Sequence, residues 1–417
     1  MQTAQHSAFE ANPLTIDRIL ADASARDNPH AVYAELRRTS PIYKTSNGMW
    51  VCTGHKAAQY LLRHPKMSRA EAARVELGLG QPMSPELEQA LRADSKMMVH
   101  MDEPNHMRVR QLVRHAFLPG AIESWTSRVR SVSKELVDRV IDKAEFNFLD
   151  EVAFPLPEIV ICEMLGVPHA DHSLWSKWSH AAVSANRTPM PTGENLRKVQ
   201  EAVLGFNGYF KNLIAKRREE LGDDLVSVLI RAEEKGDKLT EDEIIGPVTE
   251  LIQAGHETTA NLLANGMQIL FDIPAVYRQL HEQPERIPDA IQEFLRLDGS
   301  SHFGLPRVAL EDIEFEGVTI PAGDKILFIW LAINRDPTVF ENPDTVDINR
   351  DNQHQHMAFG YGPHSCLGRQ LALLESSIMF KEVLTRMPDL EMVERPHYAP
   401  VFTRGLQELK VRRRSLC

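Results

Sequence analysis

The 417-residue chain is 43% hydrophobic and 25% charged, with 22 Gly and 25 Pro, a composition that rules out disorder and collagen-like repeats. Lys and Arg total 47 against 58 Asp and Glu, and the net charge of −11 disfavours nucleic acid as the main partner while leaving room for a local basic face. The longest strictly apolar run, 326–333, falls short of the ~20 residues a membrane helix needs, and residues 1–12 carry no basic-then-apolar targeting pattern. A cytoplasmic monomer without a membrane anchor is expected.

In chain order, helical periodicity marks 28–38, 57–64, 104–117, 122–143, 195–221, 223–234, 241–272, 288–297 and 369–386. Strand-like pieces are fewer: 41–44, 49–53, 312–315, 318–320 and 325–329. No repeat, linker or low-complexity tract interrupts them, so the chain reads as one mainly helical domain over 28–417 behind an extension at 1–27. Two polar stretches, 67–100 and 169–194, are too long for simple connections and read as lids or binding loops.

The segment 241–272 starts with a capping box, Thr240 and Glu243, and its apolar residues on most sides predict one helix crossing the middle of the protein. At its centre Ala254, Gly255, His256, Glu257 and Thr258 are small or polar. An interior Gly costs about 0.8–1 kcal/mol of helix propensity, so the cluster implies that something approaches the helix there. His256-Glu257 opens a zinc-protease-like HExxH, but Ala260 stands where the second ligand belongs.

The sharpest signal is Phe359-Gly360-Tyr361-Gly362-Pro363-His364-Ser365-Cys366-Leu367-Gly368, directly before the helix at 369. Cys52, Cys162 and Cys417 are scattered in no ligand-like spacing and read as inert, whereas Cys366 has a purpose-built surrounding. Glycines let backbone N–H groups turn toward its sulfur, Phe359 shields it from water, and a following helix N-terminus favours a thiolate. The spacing of Phe359, Gly362, Cys366 and Gly368 would arise by chance in roughly one chain of this length in a thousand. It resembles the heme-binding loop of the cytochrome P-450 family, in which this Cys is the proximal ligand of heme iron.

The resemblance spans about 28–411 and implies the cytochrome P-450 fold: mainly α with small β-sheets and a long central helix over a buried heme b. Cys366 would be the iron ligand, pushing electron density toward oxygen activation from O2. Ala254 and Gly255 would leave room for dioxygen, Thr258 would hydrogen-bond the activated oxygen, and Glu257 would relay protons from water. Glu293 and Arg296 resemble the family's Glu-x-x-Arg brace, with Arg350 as third partner. His106 and Arg110, one helical turn apart, join Arg307 and His364 as the groups that neutralise two propionates. Phe359 and Gly368 complete the cofactor-binding set.

No P-loop, complete GxGxxG or other NAD(P)H or flavin signature occurs, so the resemblance implies electrons from NAD(P)H through a separate ferredoxin reductase and ferredoxin. Arg108, Arg110, Arg114 and Arg369 lie in stretches without acids and suggest a basic face for an acidic ferredoxin. By the same resemblance, Ser301, Phe303, Val401 and Phe402 would line the substrate pocket, with Ser300 and His302 offering hydrogen bonds. The implied reaction is hydroxylation or epoxidation of a medium-sized, largely apolar small organic substrate in natural-product biosynthesis. Two other readings stay open: a peroxide-driven peroxygenase, against which Glu257 and Thr258 argue, and a non-catalytic heme-thiolate binder or sensor.

Overall fold

Helices with one apolar stripe and strands too short to stand alone sort this chain into a helical body and a strand-rich flank. The computed structural model describes residues 23–414 apart from 46–47, 78–83, 173, 176–177, 179–192, 235–238 and 400–402. In the body, helices Thr126–Val140, Pro155–Met164, Glu257–Asp272, Ile287–Asp298 and Arg369–Arg386 pack on one another. Their shared core buries Val129, Leu136, Val160, Leu263, Phe294 and Phe380, each large side chain worth about 1.5–3 kcal/mol.

The strands are β1 (Ile42–Lys44), β2 (Trp50–Cys52), β3 (Met67–Ser68), β4 (Glu145–Asn147), β5 (Phe303–Ala309), β6 (Ile313–Phe315), β7 (Val318–Ile320), β8 (Lys325–Ile329), β9 (Leu390–Met392) and β10 (Lys410–Arg413), of which β4, β9 and β10 bury Phe146, Leu390 and Val411 in the core of the helical body. One sheet runs β1-β2-β8-β5-β3, with β2 parallel to β8 and Trp50 opposite Ile326. A second runs β4-β10-β9, and β6 and β7 form a hairpin. That hairpin turns through Glu316 and Gly317, both at positive φ (48° and 83°), the turn that matches the twist of the flanking strands.

Most predicted elements appear within a few residues of their expected ends, and three differences carry information. First, 122–143 is two helices, Pro119–Ser124 and Thr126–Val140. Second, the stretch 67–100 is not a loop: it holds β3 and the helices Ala70–Glu76 and Pro85–Asp94, the latter capped by Ser84, whose hydroxyl accepts from Leu87 N. Third, 241–272 is not continuous. A capping box at Thr240 opens Glu241–Gly255 as expected, but the helix breaks at His256 and resumes as Glu257–Asp272. The carbonyls of Ile252 and Ala254 would receive the N–H groups of His256 and Thr258 in a regular helix. Each is instead engaged by the side chain of that same residue, through His256 Nδ1 and Thr258 Oγ1, both at 2.9 Å. Among the described residues, no helix is long and apolar enough to cross a membrane.

Candidate functional site

The loop before helix Arg369–Arg386 turns on two left-handed glycines, Gly360 (φ 70°) and Gly362 (φ 76°). A side chain at Gly362 would be strained by its backbone and would also press on Leu62 O, 3.0 Å from the added carbon. The turn is closed by Cys366 N donating to Phe359 O at 2.7 Å and Ser365 N donating to Gly362 O at 3.0 Å. Arg110 crosses from helix Asn105–Arg114 and donates from Nη2 to Ser365 O at 2.5 Å. Arg369 lies over the Phe359 ring at 5.4 Å.

Cys366 is an accessible free thiol enclosed by protein on most sides. Desolvation pushes its pKa up, and the Gly368 N–H, Arg110 and Arg369 pull it back toward thiolate. Glu250, on the helix that carries Ala254, opposes them. Beside the sulfur, a carbon added to Gly368 would meet nothing within 4 Å, so the loop opens onto space there.

Next to the loop, buried basic side chains gather with fewer acids than they could engage. His106 is 1% exposed; its Nδ1 pairs with Glu103 at 3.1 Å and its Nε2 has no partner among the described residues. Its ring stacks on His364 at 4.0 Å. Arg307, 5% exposed, donates only weakly to the carbonyls of Leu305 and Pro306 at 3.3 Å, and burial followed by the nearby Arg69 drops its pKa to about 9. Burial also holds His364 strongly in its neutral form, with Arg307, His106 and Arg110 adding to the effect. A buried cation costs several kcal/mol unless an anion meets it. The orphaned His106 Nε2 and an Arg307 with no ion pair of its own among the described residues therefore fit the propionate edge of a heme, and Cys366 beside open space fits its thiolate ligand.

Sequence reasoning missed Arg69 in this set. It is 1% exposed, pairs through Nη2 with Glu76 at 2.6 Å, and leaves Nε and Nη1 without partners among the described residues. A lone Arg in a polar stretch gives no signal. Also missed was Glu250, whose carboxyl accepts from Val99 N at 3.2 Å and is pushed up to about 7 by burial.

At the helix break, Glu257 is buried and accepts from Thr403 Oγ1 at 2.8 Å, while Thr258 donates to Ala254 O. Ala254 is exposed, as a residue lining an open cleft is. Gly255 has a packing reason of its own: a Cβ there would come within 3.1 Å of Ile161 on helix Pro155–Met164.

Glu293 and Arg296 are both fully buried and paired bidentately, at 2.7 and 2.9 Å. Arg350 Nε and Asp347 N donate to the same carboxylate at 3.2 and 3.0 Å. Arg296 also donates to Pro343 O and Thr345 O, and Asn334 Oδ1, in the next turn of chain, accepts from Met357 N at the root of the Cys loop.

Of the expected pocket residues, Ser301 is half-buried and its backbone bridges Thr403. Phe303 is buried in a core with Val32, Tyr33, Leu36 and Ile329. His302 is likewise buried and bonded to the Tyr33 hydroxyl. Val401 and Phe402 lie outside the described residues. Cys52 and Cys162 are buried free thiols, with burial pushing Cys52 up to about 12; Cys417 lies outside the described residues.

Comparison with known proteins agrees over nearly the whole chain. The family model for cytochrome P450 matches residues 19–388. The biotin biosynthesis cytochrome P450 of Bacillus subtilis is 35% identical over 409 residues, covering 95% of this chain and 99% of the relative. The cytochrome P450 monooxygenase PikC of Streptomyces venezuelae is 32% identical, with 96% and 95% covered. Among solved structures, P450BioI in complex with an acyl carrier protein ligated to hexadec-9Z-enoic acid superposes with TM-score 0.87 at 33% identity, covering 94% of this chain and 100% of that one. CalO2 superposes with TM-score 0.88 at 26% identity, with 97% and 99% covered. A cysteine loop beside open space, a broken central helix and this breadth of similarity lead to one conclusion: the chain belongs to the cytochrome P450 family of heme-thiolate monooxygenases.

Proposed function

We propose that this enzyme holds heme b through Cys366 and inserts one oxygen atom of O2 into a medium-sized, largely apolar metabolite, by hydroxylation or epoxidation, in a biosynthetic pathway. The second oxygen atom leaves as water, at the cost of two electrons and two protons. The observation that carries the reading is the accessible Cys366 thiol on a loop turned by Gly360 and Gly362, closed by the Cys366 N to Phe359 O bond and tied to Arg110 through Ser365 O. Bound there, the heme supplies oxygen activation, favoured by a thiolate ligand. His106, Arg110, Arg307 and His364 would hold its propionates, Phe359 would shield the sulfur, and Ala254 with Gly255 would leave room for dioxygen. Glu293, Arg296 and Arg350 would brace the loop. The pocket would draw on Ser301, Val401 and Phe402; the biosynthetic roles and acyl ligand named for similar proteins support an apolar substrate. Free buried thiols suit a reducing cytoplasm.

In this reading Glu257 passes protons inward from water and Thr258 hands them to oxygen. Thr258→Ala is therefore expected to keep the bound heme and substrate affinity while product per NADPH consumed falls about tenfold or more, the balance appearing as hydrogen peroxide. Unchanged stoichiometry would remove Thr258 from proton delivery.

Electrons would come from NAD(P)H by way of a ferredoxin reductase and an acidic ferredoxin. The expected basic face is redrawn by the geometry, since Arg110 points inward to Ser365 and Arg108 is paired with Glu243. Exposed Arg114 remains, joined by Arg63, whose guanidinium sits 4.3 Å over Tyr361 of the Cys loop. Reversing both charges to Glu should slow reduction by ferredoxin about tenfold at low ionic strength, and the deficit should close as salt rises. A deficit independent of salt would exclude electrostatic docking there.

A further inference from the structure

Thr403 contributes nothing to the sequence motifs, yet its hydroxyl donates to the Glu257 carboxylate at 2.8 Å. The segment that carries it is fixed on both sides. Its backbone bridges Ser301, and the next residue, Arg404, donates from its N–H to Ser300 O at 2.8 Å. On the helix side, Asn265 Nδ2 donates to Arg404 O at 2.8 Å and to Asp298 O at 3.1 Å. Gly405 lies so close to Asn261 that an added Cβ would come within 2.8 Å of its Oδ1. Arg404 is itself buried and bonded to Asp298 at 2.8 Å. Thr403 therefore stands at a defined height above Glu257, on a segment that cannot slide along the helix without breaking these contacts.

A buried carboxylate has many rotamers and needs a donor to hold one of them. We infer that Thr403 is a positioning residue for proton delivery: its hydroxyl orients the Glu257 carboxylate and couples it to the segment Ser300–Ser301 ahead of β5. This deepens the proposed function, because it rests on Glu257 acting as the proton relay. The motif supplies the acid, and a residue nearly a hundred and fifty positions away sets where the acid points. Any ligand that shifts Ser301 moves the hydroxyl that holds Glu257.

Three variants test this in the heme-loaded enzyme with a separate ferredoxin system: Thr403→Val, which keeps the shape and removes the donor, Thr403→Ser, which keeps the donor, and Glu257→Gln. The readouts are the carbon monoxide spectrum, the substrate-induced spin shift, and product and peroxide formed per NADPH. Thr403→Val is expected to leave the spectrum and the spin-shift affinity unchanged while product per NADPH falls about fivefold and peroxide rises to match. Thr403→Ser should stay within about twofold of the parent. Equal losses in Thr403→Val and Thr403→Ser would overturn the hydroxyl's role, as would parental stoichiometry in Thr403→Val alongside an uncoupled Glu257→Gln. If Glu257→Gln itself stays coupled, the relay reading fails and the positioning role falls with it.

Discussion

Replacing Cys366 with alanine is expected to abolish the strongly red-shifted ferrous carbon monoxide band and reduce product formation to background. The loop is shaped around that sulfur. Two positive-φ glycines, the Cys366 N to Phe359 O bond and the Arg110 contact to Ser365 O hold it in place; burial raises its pKa, and the Gly368 N–H and the Arg110 and Arg369 charges offset part of that rise. Alanine preserves the turn and removes only the ligand, so the folded protein should survive with a changed or absent heme spectrum. Cys52→Ala and Cys162→Ala are the controls. Both thiols are fully buried in packed core, whereas Cys366 is accessible, so neither can reach a bound group and both variants should give the parental spectrum. A parental spectrum from Cys366→Ala would remove the heme-thiolate reading.

The second large effect belongs to Arg296. Its guanidinium meets Glu293 bidentately with both side chains fully buried, and it also closes on the carbonyls of Pro343 and Thr345. Removing Arg296 leaves the buried Glu293 carboxylate with only Arg350 Nε and Asp347 N, and breaking a buried pair costs about 3–5 kcal/mol. Arg296→Ala is therefore expected to lower the unfolding free energy by that amount, measured by urea denaturation, and to reduce heme retention. The two effects are linked through Asn334, whose backbone carbonyl accepts from Arg296 and whose side chain accepts from the root of the Cys loop at Met357. Arg296→Lys should not rescue, because one ammonium cannot reproduce a planar fork serving a carboxylate and three carbonyls. A variant within about 1 kcal/mol of the parent would mean that the brace is not structural.

Legibility followed the range of the interactions. Helices with an apolar stripe and the hairpin at 313–320 are written in local periodicity and turn chemistry, and they could be read directly. The Cys loop was legible because glycine conformations and a thiol's needs are local too. β5 was not read, since Pro306 sits inside it and its burial lacks simple alternation; its register shift between Gly304 and Arg307 accommodates that irregularity. The break at His256 was equally hidden, because helix propensity counts residues and does not see two side chains taking the carbonyls of their own preceding turn. Arg69, Glu250 and Thr403 were missed for a third reason. Each gains its role from a partner distant in the sequence, and an isolated Arg, Glu or Thr carries no pattern.

The pairing of β2 with β8, and of Arg404 with the Arg26 carbonyl across 378 residues, has a consequence for how the polypeptide is made. During synthesis the first strands emerge long before the partners that complete their sheet, so a nascent chain halted before β8 exposes the edge of β2. Loop-closure entropy must be met before those distant contacts return any energy, which makes this a slow-folding topology. The same closure brings Arg26 and Asp27 against Tyr398 and Arg404, so the first described helix can dock only after nearly the whole chain has been made.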